Sequence, residues 1–423
     1  MPTISPKAIS WGKTLSKFVS VQLLIQVLGF VSGILLIRTL EQQQYAYFTI
    51  ANTMQGTMNL LADSGISIGL TAIGGKVWQD RYRFGQLINT AMQLRIYLAA
   101  VAIVIVTPIL LWMLISNGAS VVYAIFITAA VLVGLNAQLI TGVLDVVPRL
   151  HSQISRVQNL DLIPTVFRLV LLCGAYFTFL NAAVAVLTAS ISLVLKRFIL
   201  SRWVTDSIDI KAPINKEYRR ETLAIIKCQA PNAVFYCIQG QLTVFLISIF
   251  GNTKSIAEVG ALGRLVVIFS VINAVMAGIV LPRFARCQSV KGLYRQYWQI
   301  LGSVCLLGLI VLGVAACFPS QMLWILGNKY AHLKSELFLM TTSIVVNFIA
   351  GTMWSMNTAK AWIKYCWLYI PLTIIAQIFL LLTLDTSNVK GVIMFGLFST
   401  LPGFLLNIYM SYEGLTRIQV YKS

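Results

Sequence analysis

The stretch Arg38–Lys76, RTLEQQQYAYFTIANTMQGTMNLLADSGISIGLTAIGGK, decides how the chain is read. It is apolar enough to enter a bilayer, yet Thr49, Asn52, Gln55, Asn59 and Asp63 recur in steps of three and four. That spacing places all five on one helical face. A polar stripe ending in a carboxylate cannot face hydrocarbon, where every unpaired polar group is costly. It faces either neighbouring helices, as interhelical hydrogen-bonding glue, or a wet path through the protein. The residues alone leave both open.

Working outward, the whole chain shares this character. Of its 423 residues 58% are hydrophobic and 11% charged, with a mean hydropathy of +0.82. That balance excludes a soluble domain and predicts an all-α, polytopic integral membrane protein. Seven cysteines (residues 173, 228, 237, 287, 305, 317 and 366) are scattered without a C-x-x-C, mostly in apolar runs, and read as small core residues. With His151 and His332 the only histidines, a histidine-based metal site is not expected. No glycine loop for a nucleotide is present, so no cofactor is expected and any transport runs on a gradient or downhill.

Lys7, Lys13 and Lys17 precede the apolar run Phe18–Ile37, long enough to span and lacking a small-residue cleavage site, so it reads as a first helix rather than a signal peptide. Further spans are predicted near 45–74, 88–115, 120–147, 158–179, 181–203, 222–250, 256–282, 297–318, 335–358, 362–384 and 389–412. The expected architecture is about twelve transmembrane helices in two parallel six-helix bundles around a central cavity. Residues 1–205 form the first bundle, 206–221 a linker on the cytoplasmic side, and 222–423 the second bundle.

Charge placement sets the expected orientation. Roughly three quarters of the 32 Lys and Arg fall on one side of such a layout, which predicts both termini in the cytoplasm. Arg38, Lys254, Lys329, Lys334 and Lys390 fall on the other side. The net charge of +19 therefore orients the chain against anionic membrane lipid, and no nucleic-acid partner is expected.

Three arginines lie inside predicted helices: Arg95, Arg168 and Arg264. Asp161, Thr165 and Arg168 share a face, with Pro164 able to kink the helix between them. Asp145 and Arg149 are spaced to pair at i, i+4, more as an interfacial ion pair than as a substrate contact. A second stripe, Gln229, Asn232, Tyr236, Gln239 and Thr243, is matched in phase by Gln22, Gln26, Gly29 and Gly33. Set against Asp63, the deep arginines favour an anion, and the guanidinium fork suits phosphate. The amides suit hydroxylated groups. Together they point to an amphiphile with a phosphate centre and a sugar head. Paired carboxylates suited to glycosyl transfer are lacking, so no catalytic residue is assigned.

The segments G-F-V-S-G-I-L-L-I-R-T-L (Gly29–Leu40), Tyr45 and L-A-D-S-G-I (Leu61–Ile66) resemble the first two helices of bacterial polysaccharide (O-antigen-type) flippases. These belong to the multidrug/oligosaccharidyl-lipid/polysaccharide exporter superfamily. A-E-V-G-A-L-G-R-L (Ala257–Leu265), L-P-R-F (Leu281–Phe284) and I-L-G-N-K-Y (Ile325–Tyr330) agree with the second half of that family. The resemblance implies a multidrug-antiporter-like fold and a non-enzymatic function. That function is flipping of undecaprenyl-pyrophosphate-linked oligosaccharide repeats across the bacterial cytoplasmic (inner) membrane by alternating access. It carries Arg38, Asp63 and Arg264 into the site, where the charge argument adds Arg95 and Arg168 and the stripe adds Asn52 and Asn59. Asp63 either pairs with a cavity arginine or takes up a coupling proton or sodium ion, and is the candidate for ion coupling. A polysaccharide polymerase and a chain-length regulator are the implied protein partners. The alternatives are a cation or drug antiporter of the same fold and a membrane-bound glycosyltransferase or polymerase.

Overall fold

The structure, a computed structural model, describes residues 6–420 except 152, 210, 251, 267, 268, 271, 274, 275, 277–279, 282, 283, 285–288 and 361. Side chains are described from Ser20 onward, those of 72, 154, 228, 229, 232, 233, 241, 243, 266 and 417–420 excepted. Among the described residues the secondary structure is helical throughout.

The chain divides into two compact units, Met1–Val244 and Phe245–Ser423. In the first, α1 (Pro6–Thr39), α2 (Gln42–Asp63), α3 (Ile66–Val77), α4 (Arg81–Ser116) and α5 (Val121–Leu144) follow one another. A short α6 (Val146–Leu150) leads to α7 (Ile154–Thr178), α8 (Ala182–Val204) and α9 (Lys216–Phe250). The division falls inside α9, and the segment between α8 and α9 is strapped to the first unit. Arg81 donates to the Thr205 carbonyl, Asn89 to that of Ala212, and the Asn215 amide to Thr90 Oγ1. A Cβ on Gly85 would stand 2.2 Å from the Asp209 carbonyl oxygen, so only glycine admits the strap there.

Helix starts follow local chemistry. Asp80 accepts from the amides of Tyr82 and Arg83 to open α4, Ser120 from Tyr123 to open α5, and Asn181 from Val184 to open α8. Each satisfies a backbone donor that a helix start leaves without an intrahelical partner. The span predicted as one helix over 45–74 is in fact two. Ser64 (φ 35°) and Gly65 (φ 97°) are left-handed and end α2, and only Gly65 adopts that backbone without steric cost. Within the unit, α5 packs on α8, α2 on α4, α7 on α8, α1 on α7 and α4 on α5. Phe84, Leu87, Ile88, Val147, Leu200 and Ile208 belong to its apolar core.

The second unit takes in α10 (Thr253–Leu262), a 3-10 turn at Gly263–Val266, α11 (Val290–Cys317), α12 (Pro319–Leu326) and α13 (Lys334–Ala359). It ends with α14 (Tyr369–Thr383), α15 (Val389–Ser399) and α16 (Leu401–Val420). Helix α13 packs against α11, α15 and α16, with Phe284, Tyr297, Met353 and Met356 in the core. Buried Asn357 donates to the Asn407 carbonyl at 3.1 Å and accepts from Ser411 at 2.8 Å, tying α13 to α16. Much of the predicted span 256–282 lies outside the described residues.

Nine helical stretches among the described residues are long and apolar enough to cross a membrane. Helices α2 and α9, of 22 and 35 residues, have the length as well. Large apolar side chains lie open on the outer faces, among them Val104 (73%), Phe177 (83%) and Leu382 (82%). In water such a surface would drive association, whereas in a bilayer it is solvated by acyl chains. The protein is therefore a multi-pass membrane protein. Two cysteines expected in the core, Cys173 and Cys317, are instead exposed on this surface, a position that costs a small apolar side chain nothing in lipid.

Candidate functional site

The polar stripe of α2 divides into two parts with different surroundings. At one end Thr49 returns its hydroxyl to the Tyr45 carbonyl at 2.9 Å. Asn52 and Gln55 follow, on the wall of a cavity. Asn59 and Asp63, further along, meet Arg95 of α4: Nη2 donates to Asn59 Oδ1 at 3.1 Å, and Nη1 lies 3.1 Å from Asp63 Oδ1.

Arg95 is among the most buried polar residues of the chain, 2% exposed. Its guanidinium lies against Gly142 of α5, where a Cβ would stand 2.5 Å from two of its nitrogens. Asp63 also accepts from the Ser67 hydroxyl at 2.5 Å, across the break between α2 and α3. Arg95 thus ties α2, α4 and α5 together from within the packed bundle and is not on the cavity wall. The second stripe residue assigned to substrate, Asn59, is engaged in the same tie.

The cavity, about 620 Å3, is open on one side, and the described residues that line it belong to helices of the first unit. Gln22, Gln26, Gly29 and Ser32 come from α1, Asn52, Gln55 and Gly56 from α2, and Gln138 from α5. Leu160, Asp161, Pro164, Thr165 and Arg168 come from α7, and Ala189, Ser192, Leu193 and Lys196 from α8. The face read from sequence on α7 is therefore turned inward as a whole. Pro164 has no amide to offer the Leu160 carbonyl four residues before it, which leaves an acceptor beside the cavity.

Lys196 holds the electrostatic centre. Its ammonium lies 2.9 Å from Asp161 Oδ1 and 3.1 Å from Asp145 Oδ2, joining α8 to α7 and to the α5–α6 junction. Sequence reading had paired Asp145 with Arg149. That contact is 4.0 Å, with Arg149 63% exposed, so Lys196 is the effective partner. Lys196 escaped the sequence-based site because it sits near the end of its helix, where a lysine reads as a flanking charge. The signal that could have found it is the helical phase it shares with Ala189, Ser192 and Leu193.

Among the described residues Arg95 is paired with Asp63 and Lys196 with Asp145 and Asp161, so of the three arginines read from sequence as deep, Arg168 is the one on this cavity's wall. Arg38 is exposed on the last turn of α1, and Arg264 is half-buried in the 3-10 turn of the second unit. On α9, the side chains of Gln229, Asn232 and Thr243 lie outside the described residues, Tyr236 is exposed and Gln239 half-buried.

Comparison with solved structures gives the fold a context. A multidrug resistance MATE family transporter of the MOP superfamily, in an inward-facing conformation, is similar over 96% of this chain and 99% of its own, with a TM-score of 0.76 at 14% identity. The fold is shared. The lipid II flippase MurJ aligns over 95% of this chain and 90% of its own, with a TM-score of 0.74 at 12% identity. A eukaryotic MATE transporter, AtDTX14, aligns over 92% and 98%, with a TM-score of 0.54 at 16% identity. No family model and no curated protein matches the sequence. At these identities the likeness establishes the architecture, all-α and multidrug-antiporter-like as expected.

Proposed function

We propose that this chain is a flippase: it carries undecaprenyl-pyrophosphate-linked oligosaccharide repeat units across the bacterial cytoplasmic membrane, by alternating access and without covalent chemistry. The observation that carries the reading is the cavity itself. An apolar helical bundle that lines a cavity with Arg168, Lys196, Asp161 and five amides has invested polar groups where packing alone would use aliphatic ones, and intramembrane polar clusters mark paths for polar cargo. Arg168 supplies a guanidinium for phosphate oxygens, and the amides supply partners for a sugar head. The lipid tail stays in the hydrocarbon throughout, so the protein shelters only the head. The fold shared with a lipid II flippase supports the same class of cargo. A polysaccharide polymerase and a chain-length regulator would be the downstream partners.

One observation favours a second reading, a cation or drug antiporter of the same fold. Asp161 is a carboxylate on the cavity wall, where a cationic drug would meet it. It is already engaged by Lys196, which makes the cavity a poor cation site in this state. The test is reconstitution of the full chain in proteoliposomes with a fluorescent short-chain pyrophosphate-linked oligosaccharide in one leaflet. Protein-dependent movement to the other leaflet, lost in Arg168→Ala with normal protein levels, is expected. Transport of a cationic dye with no movement of the lipid would overturn the reading in favour of the antiporter.

A further inference from the structure

We infer that the cavity of the first unit is a seat for an uncharged saccharide, held by the amides of Gln22, Gln26 and Asn52, and that it selects acetamido or hydroxylated sugars against acidic ones. For the lipid on which that sugar travels, the inference rests on the flippase reading.

Three features of the wall lead to it. First, apart from Arg168, which the flippase reading gives to the phosphates, the charged groups of the wall are spent on one another. Lys196 bridges Asp145 and Asp161 within hydrogen-bond distance, so Asp161 presents an anionic acceptor held in place by its own counter-ion. A uronic acid brought alongside would meet that carboxylate and would have to displace it from Lys196. Second, the hydroxyls have used their hydrogens inside their own helices. Ser32 donates to Leu28, Ser192 to Ala189 and Thr165 to Asp161, each to a backbone carbonyl at 2.6–2.8 Å. Towards the cavity they can only accept. Third, Gln22, Gln26 and Asn52 line the cavity and form no hydrogen bond to another described residue. Gln55, by contrast, already donates to Gln138 at 3.4 Å.

An amide carries two donors and one acceptor carbonyl. Three free amides among acceptor-only hydroxyls therefore offer a mixed set of donors and acceptors. Sugar hydroxyls and acetamido groups, each both donor and acceptor, match it. A carboxylate in place of a sugar hydroxyl at these three amides, which asks for donors alone, does not. The space agrees: Cβ atoms built on Gly29 and Gly56 meet nothing within 4 Å. The volume, about 620 Å3, lies within the ordinary range for small-molecule sites. Ile25, Leu160 and Leu193 provide an apolar floor for the C–H face of a pyranose.

The test uses the full chain in nanodiscs and three short-chain polyprenyl pyrophosphates: one bearing N-acetylglucosamine, one bearing glucuronic acid and one without sugar. Wild type should bind the acetamido lipid about ten-fold or more tighter than either of the others, as one or two net hydrogen bonds would give. In Gln22→Ala/Gln26→Ala/Asn52→Ala that advantage should vanish, with binding of the sugar-free lipid unchanged. Gln26→Leu alone, which keeps the helix and the side-chain volume, should lose part of it. Equal binding of the acidic and acetamido lipids, or a triple variant that discriminates as wild type does, would overturn the inference. If wild type binds none of the three lipids, the flippase reading falls. The saccharide seat then stands only if the free methyl glycoside of N-acetylglucosamine binds to wild type and not to the triple variant.

Discussion

Replacing Asp63 by alanine separates a structural tie from an ion-coupling group. Asp63 lies 3.1 Å from the Arg95 guanidinium, with side chains 26% and 3% exposed. At that distance the attraction is about 5 kcal/mol for an effective dielectric near 20, and exposure of the carboxylate lowers it. Removing one partner of a buried pair leaves the other as an uncompensated charge, a loss of about 3–5 kcal/mol. Asn59 still accepts from Nη2, so the lower end of that range is expected, read as a melting temperature several degrees lower in detergent. Asp63→Asn, which keeps an acceptor, should lose less. Adding Arg95→Met to Asp63→Ala removes the stranded charge with a flexible apolar chain and should restore most of the stability. Thermal unfolding of the four proteins, with transport measured across a pH and sodium series, is the assay. Full stability in Asp63→Ala together with lost pH or sodium dependence of transport would refute the structural role and assign Asp63 to coupling.

Other expectations follow from the same geometry. Gly29→Leu and Gly56→Leu project into open space, so each should leave or raise stability, glycine being about 1 kcal/mol poorer than a good helix former, while transport falls as the cavity fills. Gly142→Ala should do the opposite by pushing on Arg95: melting temperature falls first, and activity falls with it. Lys196→Met leaves Asp145 and Asp161 without their shared cation and should destabilise by about 3 kcal/mol, with partial rescue by adding Asp161→Asn, read as melting temperatures. Asp385, in the exposed turn before α15, accepts from the Ser387 hydroxyl and amide and from Asn388, which hold its carboxyl below the usual carboxylate value. A depressed carboxylate adds stability above its ordinary value and loses it as pH falls through the folded one. A small drop in melting temperature below about pH 4, absent in Asp385→Asn, is therefore expected.

Much of the site could be read from spacing alone, because helical phase is a local property. The stripe Thr49–Asp63 and the face Asp161–Thr165–Arg168 needed only a period of 3.6 residues, and Asn52, Gln55, Asp161, Thr165 and Arg168 do share a cavity. Partnership was not legible, since it depends on which helices become neighbours. Arg95, Asn59 and Asp63 were each recognisable as deep polar groups, yet nothing local says that they meet one another. Lys196 shows the same limit at a helix end. Composition cannot distinguish a lysine that turns inward onto two aspartates from one that marks the membrane boundary. The break at Ser64–Gly65 did have a local signal, a Ser-Gly pair, but the apolar run on both sides outweighed it. Hydrogen bonds that Arg81 and Asn89 donate and Thr90 accepts, more than a hundred residues away in sequence, bind the segment before α9 to the first unit, a partnership that no local pattern announces.

The most direct measurement of the central claim is a cryo-electron microscopy map of the full chain in nanodiscs with a pyrophosphate-linked N-acetyl sugar lipid. Density for the head inside the first unit is expected, with phosphate against Arg168 and sugar against Gln22, Gln26 and Asn52. A cavity holding water alone while the bound lipid head lies elsewhere would contradict it.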